Sequence, residues 1–267
     1  MVRLGQNFLT DPNLLDAILR DAALEPGDVV LEVGAGEGVL TERLATLLRC
    51  SLPPNSKGKE QRSGGFVHAV ELDRALEGAL QRVASLPNVE LHWGDAMKLD
   101  LAALDPAPTA VVANLPYSVA TPLLLRTVDE LPAVRRWTVM VQRESADRLR
   151  ADPGSRTYGS PSVLLQLACE VRLLRAVDPA VFRPRPRVDS AILALRRTGP
   201  GADPATRELV RAAFAHRRKS LPRSLEHARP GSLAPAREAL AALGLPEDAR
   251  AESLSPSQFT ALAESLR

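Results

Sequence analysis

Short apolar runs and amphipathic stretches alternate along the first half of the chain. Apolar residues recur at helical spacing over 14–19, directly after Asp11 and Pro12, a typical N-cap and first helical residue. Buried strands are predicted at 29–31, 66–70, 89–92, 110–113 and 137–141, with helices between most of them. This alternation predicts an α/β fold with a parallel, doubly wound sheet.

Two segments depart from this rhythm. Residues 51–65 are polar, rich in Pro, Gly and Ser, and lack an apolar face, which predicts a flexible surface insertion. After the Gly- and Pro-containing stretch 198–201 the pattern is helical, with no strand candidate from Asp203 onward. We therefore expect a sheet domain over 1–198 and a small all-α domain over 199–267.

Composition narrows the class of protein. The chain has 267 residues, of which 45% are hydrophobic and 25% charged, as in globular proteins. No apolar run approaches the roughly 20 residues of a membrane span, and residues 1–9 lack a signal-peptide core. Cys50 and Cys169 form no metal or redox motif, and the four histidines are scattered. We expect a reduced, cytoplasmic protein without a metal and without a membrane partner.

The charge is unevenly distributed. Residues 1–180 carry 19 Lys+Arg against 23 Asp+Glu, whereas residues 181–267 carry 15 against 9, a net +6. A basic C-terminal third favours a polyanionic partner such as a nucleic acid. The alternative is an ordinary solvated surface in an Arg-rich protein, since only four of the 34 basic residues are Lys.

The most informative stretch is Asn114-Leu115-Pro116-Tyr117, which follows the strand predicted at 110–113. Open α/β sheets bind ligands at the carboxyl ends of their strands. The Asn114 side-chain oxygen and the Leu115 carbonyl could accept two hydrogen bonds from an exocyclic amine, and Tyr117 could support its ring. An Asn-x-Pro sequence is also a common turn, so the stretch alone leaves both interpretations open.

A glycine-rich turn follows the strand at 29–31. Gly34 and Gly36 would let a ligand approach the backbone, although the spacing departs from the dinucleotide fingerprint. Glu32 and Glu37 flank the turn, which disfavours a phosphate and suits a ligand with a cationic end. A purely structural turn is the alternative.

Acidic residues end the next two strands. Glu71 could accept the hydroxyls of a ribose, and Asp95 could accept an adenine amino group. Either acid alone could be a solvated strand end. With the glycine turn and Asn114, however, four successive strand ends carry such groups, which predicts a nucleoside pocket beside a site for an amine.

These motifs resemble those of the ribosomal RNA adenine N6,N6-dimethyltransferases, the kasugamycin-resistance type that acts on small-subunit rRNA. The resemblance runs nearly end to end and rests on the blocks at 4–9, 32–41, 70–73, 114–122, 140–144, 158–159, 181–190, 214–221 and 250–255. Ala35, Glu37 and Ser118 depart from the residues usual in the family, and the 51–65 insertion is atypical of it. None of these differences removes a group that the reaction needs.

The resemblance implies a Rossmann-like methyltransferase sheet and S-adenosylmethionine as cofactor. It implies dimethylation of two adjacent adenosines near the 3′ end of small-subunit rRNA, in a pre-ribosomal particle, by a protein we expect to be monomeric. The cofactor-binding positions would be Asn7, Leu9, Gly34, Gly36, Glu71, Asp95 and Asn114. The catalytic positions would be Asn114, Leu115, Tyr117 and Phe182, where Phe182 is a second aromatic near the target base.

Four alternatives remain open on the sequence. Phe182 could be a core residue instead of a stacking surface. The candidate RNA-binding cations, which are Arg183, Arg185, Arg217, Arg218, Lys219 and Arg223, could be solvated side chains. The substrate could be large-subunit rRNA, or the chain could be a non-enzymatic RNA-binding assembly or transcription factor that has kept the fold.

Overall fold

The computed structural model describes residues 6–50 and 64–267, so residues 51–63 of the expected insertion lie outside the described residues. The strands are β1 (Phe8–Leu9), β2 (Val29–Val33), β3 (Phe66–Glu71), β4 (Val89–Trp93), β5 (Ala110–Asn114), β6 (Arg136–Gln142), β7 (Cys169–Val177), β8 (Phe182–Arg183) and β9 (Ser190–Arg197). The helices are α1 (Pro12–Ala22), α2 (Val39–Cys50), α3 (Glu77–Ala84), α4 (Ala120–Glu130), α5 (Arg143–Leu149), α6 (Ser160–Gln166), α7 (Pro204–Ala215), α8 (Leu221–Ala228), α9 (Leu233–Ala242) and α10 (Pro256–Ser265). Within the described ranges, no helix has the length and apolarity needed to cross a membrane.

Seven strands form the main sheet, in the order β4-β3-β2-β5-β6-β9-β7. The pairs from β4 through β6 are parallel, which confirms the doubly wound arrangement expected from the sequence. Strand β9 runs antiparallel to β6, and neither β9 nor β7 was among the predicted strands. Because the strand order reverses between β2 and β5, a crevice is expected where their carboxyl ends diverge.

Local sequence explains why the central elements form where they do. Asp11 caps α1 by accepting a hydrogen bond from the Leu14 N–H at 2.8 Å, and Pro12 occupies the first turn. Leu15 and Ile18 then place the apolar face of α1 in the core. Every residue of β2 is buried, as expected for a strand covered on both faces.

The chain forms two compact units. The first contains the described residues of 1–146 and 172–196, and the second contains 147–171 and 197–267. The boundary predicted from sequence, at 198/199, lies close to the last boundary between the two units, at 196/197. The prediction differs in assigning residues 147–171 to the sheet domain. Tyr158 explains the grouping of this segment, because its ring packs edge-on against Phe214 and its hydroxyl donates to the Leu254 carbonyl at 3.0 Å.

Candidate active site

A cleft of about 620 Å³ opens at the carboxyl ends of the parallel strands in the first unit. Nine of the ten residues proposed from sequence for catalysis or cofactor binding line it, namely Asn7, Leu9, Gly34, Gly36, Glu71, Asp95, Asn114, Leu115 and Tyr117. The parallel sheet brings them together because successive strands all end at one edge. The missing member is Phe182.

Backbone hydrogen bonds fix the glycine turn against the neighbouring strand. The N–H groups of Gly34 and Ala35 both donate to the Val70 carbonyl, at 2.9 and 3.1 Å. Gly34 has φ +81°, and a Cβ there would lie 3.5 Å from the Pro116 ring. Glycine is favoured because the backbone conformation is left-handed, whereas the contact with Pro116 would be an ordinary van der Waals distance for a Cβ.

Glu71 is buried, and three backbone N–H groups hold its carboxylate. Oε1 accepts from Leu72 and Asp73 at 2.9 and 2.8 Å, and Oε2 accepts from Gly36 at 2.8 Å. Hydrogen bonds to the ionised form offset the cost of burying it. Because Oε1 already has two donors and Oε2 only one, Oε2 keeps the acceptor capacity for a ligand hydroxyl.

Glu32 is the second buried acid of the cleft. Burial raises the pKa of its carboxyl to about 8, and the negative charge of Glu71 contributes in the same direction, while the nearby Thr41 hydroxyl lowers the pKa. Its Oε2 has no hydrogen-bond partner among the described residues. A protonated, under-bonded acid in a ligand cleft is poised to ionise when a cationic group arrives.

Asp95 follows β4 and is partly exposed at the rim of the cleft. Its Oδ1 accepts from the Met97 N–H at 2.9 Å, and its Oδ2 lies 3.9 Å from the Lys98 ammonium. The first bond fixes the side chain in a turn that faces the cleft. Oδ2 therefore remains the oxygen that can accept from a ligand amino group.

Asn114 is oriented by the N-terminal strand. Its Nδ2 donates to the Asn7 carbonyl at 3.2 Å, so its Oδ1 is the end left to accept hydrogen bonds. The short strand β1 that follows Asn7 is held in turn by β8, through the pairs Phe8↔Arg183 and Leu9↔Phe182. The acceptor at the end of β5 thus depends on contacts far away in the chain.

Tyr117 has a partner that the sequence did not reveal. Its hydroxyl hydrogen-bonds to Ser190, a fully buried residue at the start of β9. Burial raises the pKa of the Tyr117 phenol, and the bond to Ser190 opposes the rise. Ser190 ends the 181–190 block that contributes to the family resemblance, but only the pairing of β9 with β6, which sets Ser190 beside Gln142, brings it to Tyr117.

Phe182 is a core residue in this structure. Its exposed fraction is 0%, and it packs in the main apolar cluster with Leu9, Met140 and Ile192. In this conformation the Phe182 ring exposes no face to a base, which favours the core-packing alternative and leaves the stacking role a prediction. Its contribution to the site is indirect, through the β1–β8 pairing.

The six candidate RNA-binding cations are all exposed but differ in what they contact. Arg217 donates to the carbonyls of Arg156 and Tyr158, each at 3.0 Å, which is a structural role within the second unit. Arg185 lies 3.7 Å from Asp178, Arg183 donates to the Phe182 carbonyl at 3.2 Å, and Lys219 contacts His227. Within 6–50 and 64–267, the side chains of Arg218 and Arg223 have no hydrogen-bond or ion-pair partner.

Comparison with known sequences supports this picture. The family model described as ribosomal RNA adenine dimethylase matches residues 2–267. A protein named ribosomal RNA small subunit methyltransferase A from Rubrobacter xylanophilus is 45% identical, over 97% of this chain and 92% of the relative. A protein of the same name from Streptomyces avermitilis is 43% identical, over 97% and 86%.

Solved structures agree on the fold. A dimethyladenosine transferase from Plasmodium falciparum superposes with a TM-score of 0.76 at 24% identity, covering 96% of this chain and 95% of that one. The 23S rRNA methyltransferase ErmE superposes with a TM-score of 0.66 at 27% identity, covering 97% and 99%. With its whole length matched and its cleft built from the motif residues, the chain belongs to the ribosomal RNA adenine dimethylase family.

Proposed function

We propose that this protein transfers methyl groups from S-adenosylmethionine to N6 of two adjacent adenosines near the 3′ end of small-subunit rRNA. The observation that carries the proposal is the Asn114 side chain. Its amide is held with the oxygen free to accept, at the end of β5 and in the cleft that Tyr117 and Glu71 also line. A target amine and a nucleoside cofactor can therefore be bound side by side.

The residues of the cleft fit this cofactor. Oε2 of Glu71 would accept a hydrogen bond from a ribose hydroxyl, and Oδ2 of Asp95 would accept one from the adenine amino group. Glu32 would pair with the cationic methionine end, which would satisfy its unpartnered buried oxygen and favour its ionised form. When bound, S-adenosylmethionine supplies a methyl group made electrophilic by the adjoining sulfonium.

The chain's own contribution to catalysis is alignment and differential hydrogen bonding. The lone pair of adenine N6 is delocalised into the ring, so this nitrogen is a poor nucleophile. Asn114 Oδ1 and the Leu115 carbonyl accept hydrogen bonds from the two N–H groups of N6. These bonds favour the pyramidal nitrogen reached in the transition state. Leu115 is held in place because its N–H donates to the Met140 carbonyl at 3.1 Å. No general base is required, because a proton leaves to water after transfer.

Tyr117 supplies the surface for the target base. An adenine must be unstacked to enter such a cleft, which costs least in a single-stranded RNA loop. Base–aromatic stacking contributes roughly 1–3 kcal/mol. The hydrogen bond between the Tyr117 and Ser190 hydroxyls fixes the tilt of the Tyr117 ring, so less conformational entropy is lost when the base arrives.

The small subunit is favoured over the large subunit as substrate. The relatives named for small-subunit methylation are 45% and 43% identical to this chain, whereas ErmE, named for 23S rRNA, is 27% identical. The intact cleft disfavours a purely non-enzymatic role. A pre-ribosomal particle in the cytoplasm is the proposed partner, with Arg218 and Arg223 contacting phosphates, and the monomeric state stays a prediction for light scattering.

The test is transfer of radiolabelled methyl groups to isolated immature small subunits and, in parallel, to immature large subunits. We expect four methyl groups per small subunit, on two adenosines, and none on large subunits. Asn114→Ala should reduce the single-turnover rate by at least about tenfold, since it removes a hydrogen bond strengthened in the transition state. The exposed Asn13 of α1 offers the matched control, Asn13→Ala. Labelling of large subunits instead, or a normal rate for Asn114→Ala, would contradict the proposal.

A further inference from the structure

Three potential metal ligands meet at the outer edge of the sheet, where β3 pairs with β4. The register sets His68 beside Glu90 and Val70 beside His92. His68 Nδ1 lies 3.0 Å from His92 Nε2. Glu90 Oε2 lies 3.8 Å from the first nitrogen and 4.0 Å from the second. The histidines are scattered along the sequence, and their contact could not be predicted because it depends on the register of the two strands.

The protonation of His68 follows from its other nitrogen. Nε2 lies 2.8 Å from the Pro106 carbonyl, which can only accept, so Nε2 carries the proton. Nδ1 therefore presents a lone pair towards His92 and Glu90. Metal-binding histidines are commonly held in this way, with the remote N–H on a carbonyl that fixes tautomer and ring orientation.

A simple hydrogen bond from His92 to His68 explains only part of the arrangement. It accounts for the 3.0 Å contact between the nitrogens. It leaves the Glu90 carboxylate facing a nitrogen that has no proton to donate, at distances too long for a hydrogen bond to either ring. Two groups with lone pairs, His68 Nδ1 and Glu90 Oε2, lie 3.8 Å apart, and a cation between them would satisfy both.

We propose that His68, Glu90 and His92 form a binding site for a divalent transition metal, Zn²⁺ in the first instance. In a tetrahedral site with bonds of about 2.0–2.1 Å, neighbouring ligand atoms lie roughly 3.3–3.4 Å apart. The observed separations of 3.0, 3.8 and 4.0 Å bracket that spacing. Glu90 is 54% exposed, so its side chain can close the difference, and water completes the coordination.

The site would stabilise the sheet and would not be a reactive centre. It joins the edge strand β4 to β3. His92 lies three residues before Asp95, and His68 lies three residues before Glu71. It also reaches the 105–106 turn through the Pro106 carbonyl. Bound metal would stiffen the part of the sheet that presents both acids to the cleft.

The experiment is calorimetric titration of the tag-free, chelator-stripped full chain with Zn²⁺, alongside thermal melts. We expect one ion per chain and a saturable rise in Tm, by mass action on the folded state. Glu90→Gln and His92→Gln should each weaken binding by at least about tenfold, as for loss of groups that hold a metal. Because Glu90 is exposed, the Glu90→Gln variant should fold, even if a substitution at the buried His68 prevents folding.

The second histidine pair provides the matched control. The rings of His216 and His227 are 4.9 Å apart, close to the 5.1 Å of His68 and His92, but the Lys219 ammonium contacts His227. His227→Gln should therefore leave Zn²⁺ binding unchanged. With Co²⁺ in place of Zn²⁺, the visible absorption spectrum should show the bands of nitrogen and oxygen ligands and no thiolate charge-transfer band. The proposed site would be overturned if the wild-type chain bound no Zn²⁺, if Glu90→Gln and His92→Gln bound it as tightly as the wild type, or if Co²⁺ gave a thiolate spectrum.

Discussion

Replacing Glu32 by Gln should have opposite effects on stability and on function: the folded protein should become more stable at alkaline pH, and cofactor binding should become weaker. The carboxyl is completely buried in the cleft, and its pKa in the folded protein is about 8, against 4.5 for an ordinary glutamate. A raised pKa means that the folded state favours the protonated form. The stability contributed by that form is fully present below about pH 4.5 and is lost as the pH rises towards 8.

The magnitude follows from the size of the shift. The pKa of Glu32 rises from 4.5 to about 8 on folding. Each unit of this rise corresponds to about 1.4 kcal/mol of free energy that favours the protonated form in the folded state. Integrated to pH 8, the wild-type protein loses on the order of 4 kcal/mol relative to a side chain that does not ionise, but under about 1 kcal/mol at pH 5. Glu32→Gln should therefore be close to wild type at pH 5 and considerably more stable at pH 8.

Urea unfolding of both proteins at half-unit steps from pH 5 to 9 measures the difference directly. Glu37→Gln, on the exposed side of the same turn, is the control and should show no such slope. The same Glu32→Gln variant should bind S-adenosylmethionine at least about tenfold more weakly, because a charge-assisted contact is lost. A stability difference that does not change with pH would mean that Glu32 is ionised in the folded protein, and the reasoning would fail.

Three further outcomes are expected. Glu71→Gln should weaken S-adenosylmethionine binding by roughly 1.5–3 kcal/mol in calorimetry, since a carboxylate acceptor is lost; unchanged affinity would remove it from the site. Ser190→Ala should lower kcat several-fold with cofactor affinity intact, because the Tyr117 ring loses its anchor; equal loss of both would indicate general damage. Arg218→Ala with Arg223→Ala should reduce the log–log salt slope of small-subunit binding by roughly 0.7–0.9 per lost contact, while Arg217→Ala should instead lower Tm; an unchanged slope would place the RNA contacts elsewhere.

The parallel part of the sheet could be predicted from sequence because each buried strand is a short apolar run bounded by turn residues. The cleft could be predicted for the same reason, since groups such as Glu71 and Asn114 simply follow those runs. Strand β7 has an alternating, half-exposed pattern and gives a weaker signal. Strand β9 was also missed, although it carries an apolar run of the same kind as the predicted strands, so its local pattern would have been sufficient to predict it.

The remaining features depend on contacts between distant segments. The burial of Phe182 is set by its pairing with Leu9, and the anchor of Tyr117 is set by the register of β9. Arg217 looks like any exposed cation until the carbonyls that it binds are placed. Such contacts have no local signature, because they arise from strand pairing and packing and not from the residue types alone.

The pairing of β1 with β8 has a consequence for the order in which the protein becomes functional during synthesis. Asn7 lies near the start of the chain, yet the strand that holds it, and the Thr10 bond to the Val181 carbonyl, need residues that are translated about 170 positions later. A nascent chain that ends before residue 183 can form β2 through β6 but cannot fix Asn7 against Asn114. Because such long-range pairings form late, the acceptor geometry of the cleft should be completed only after most of the protein has been made.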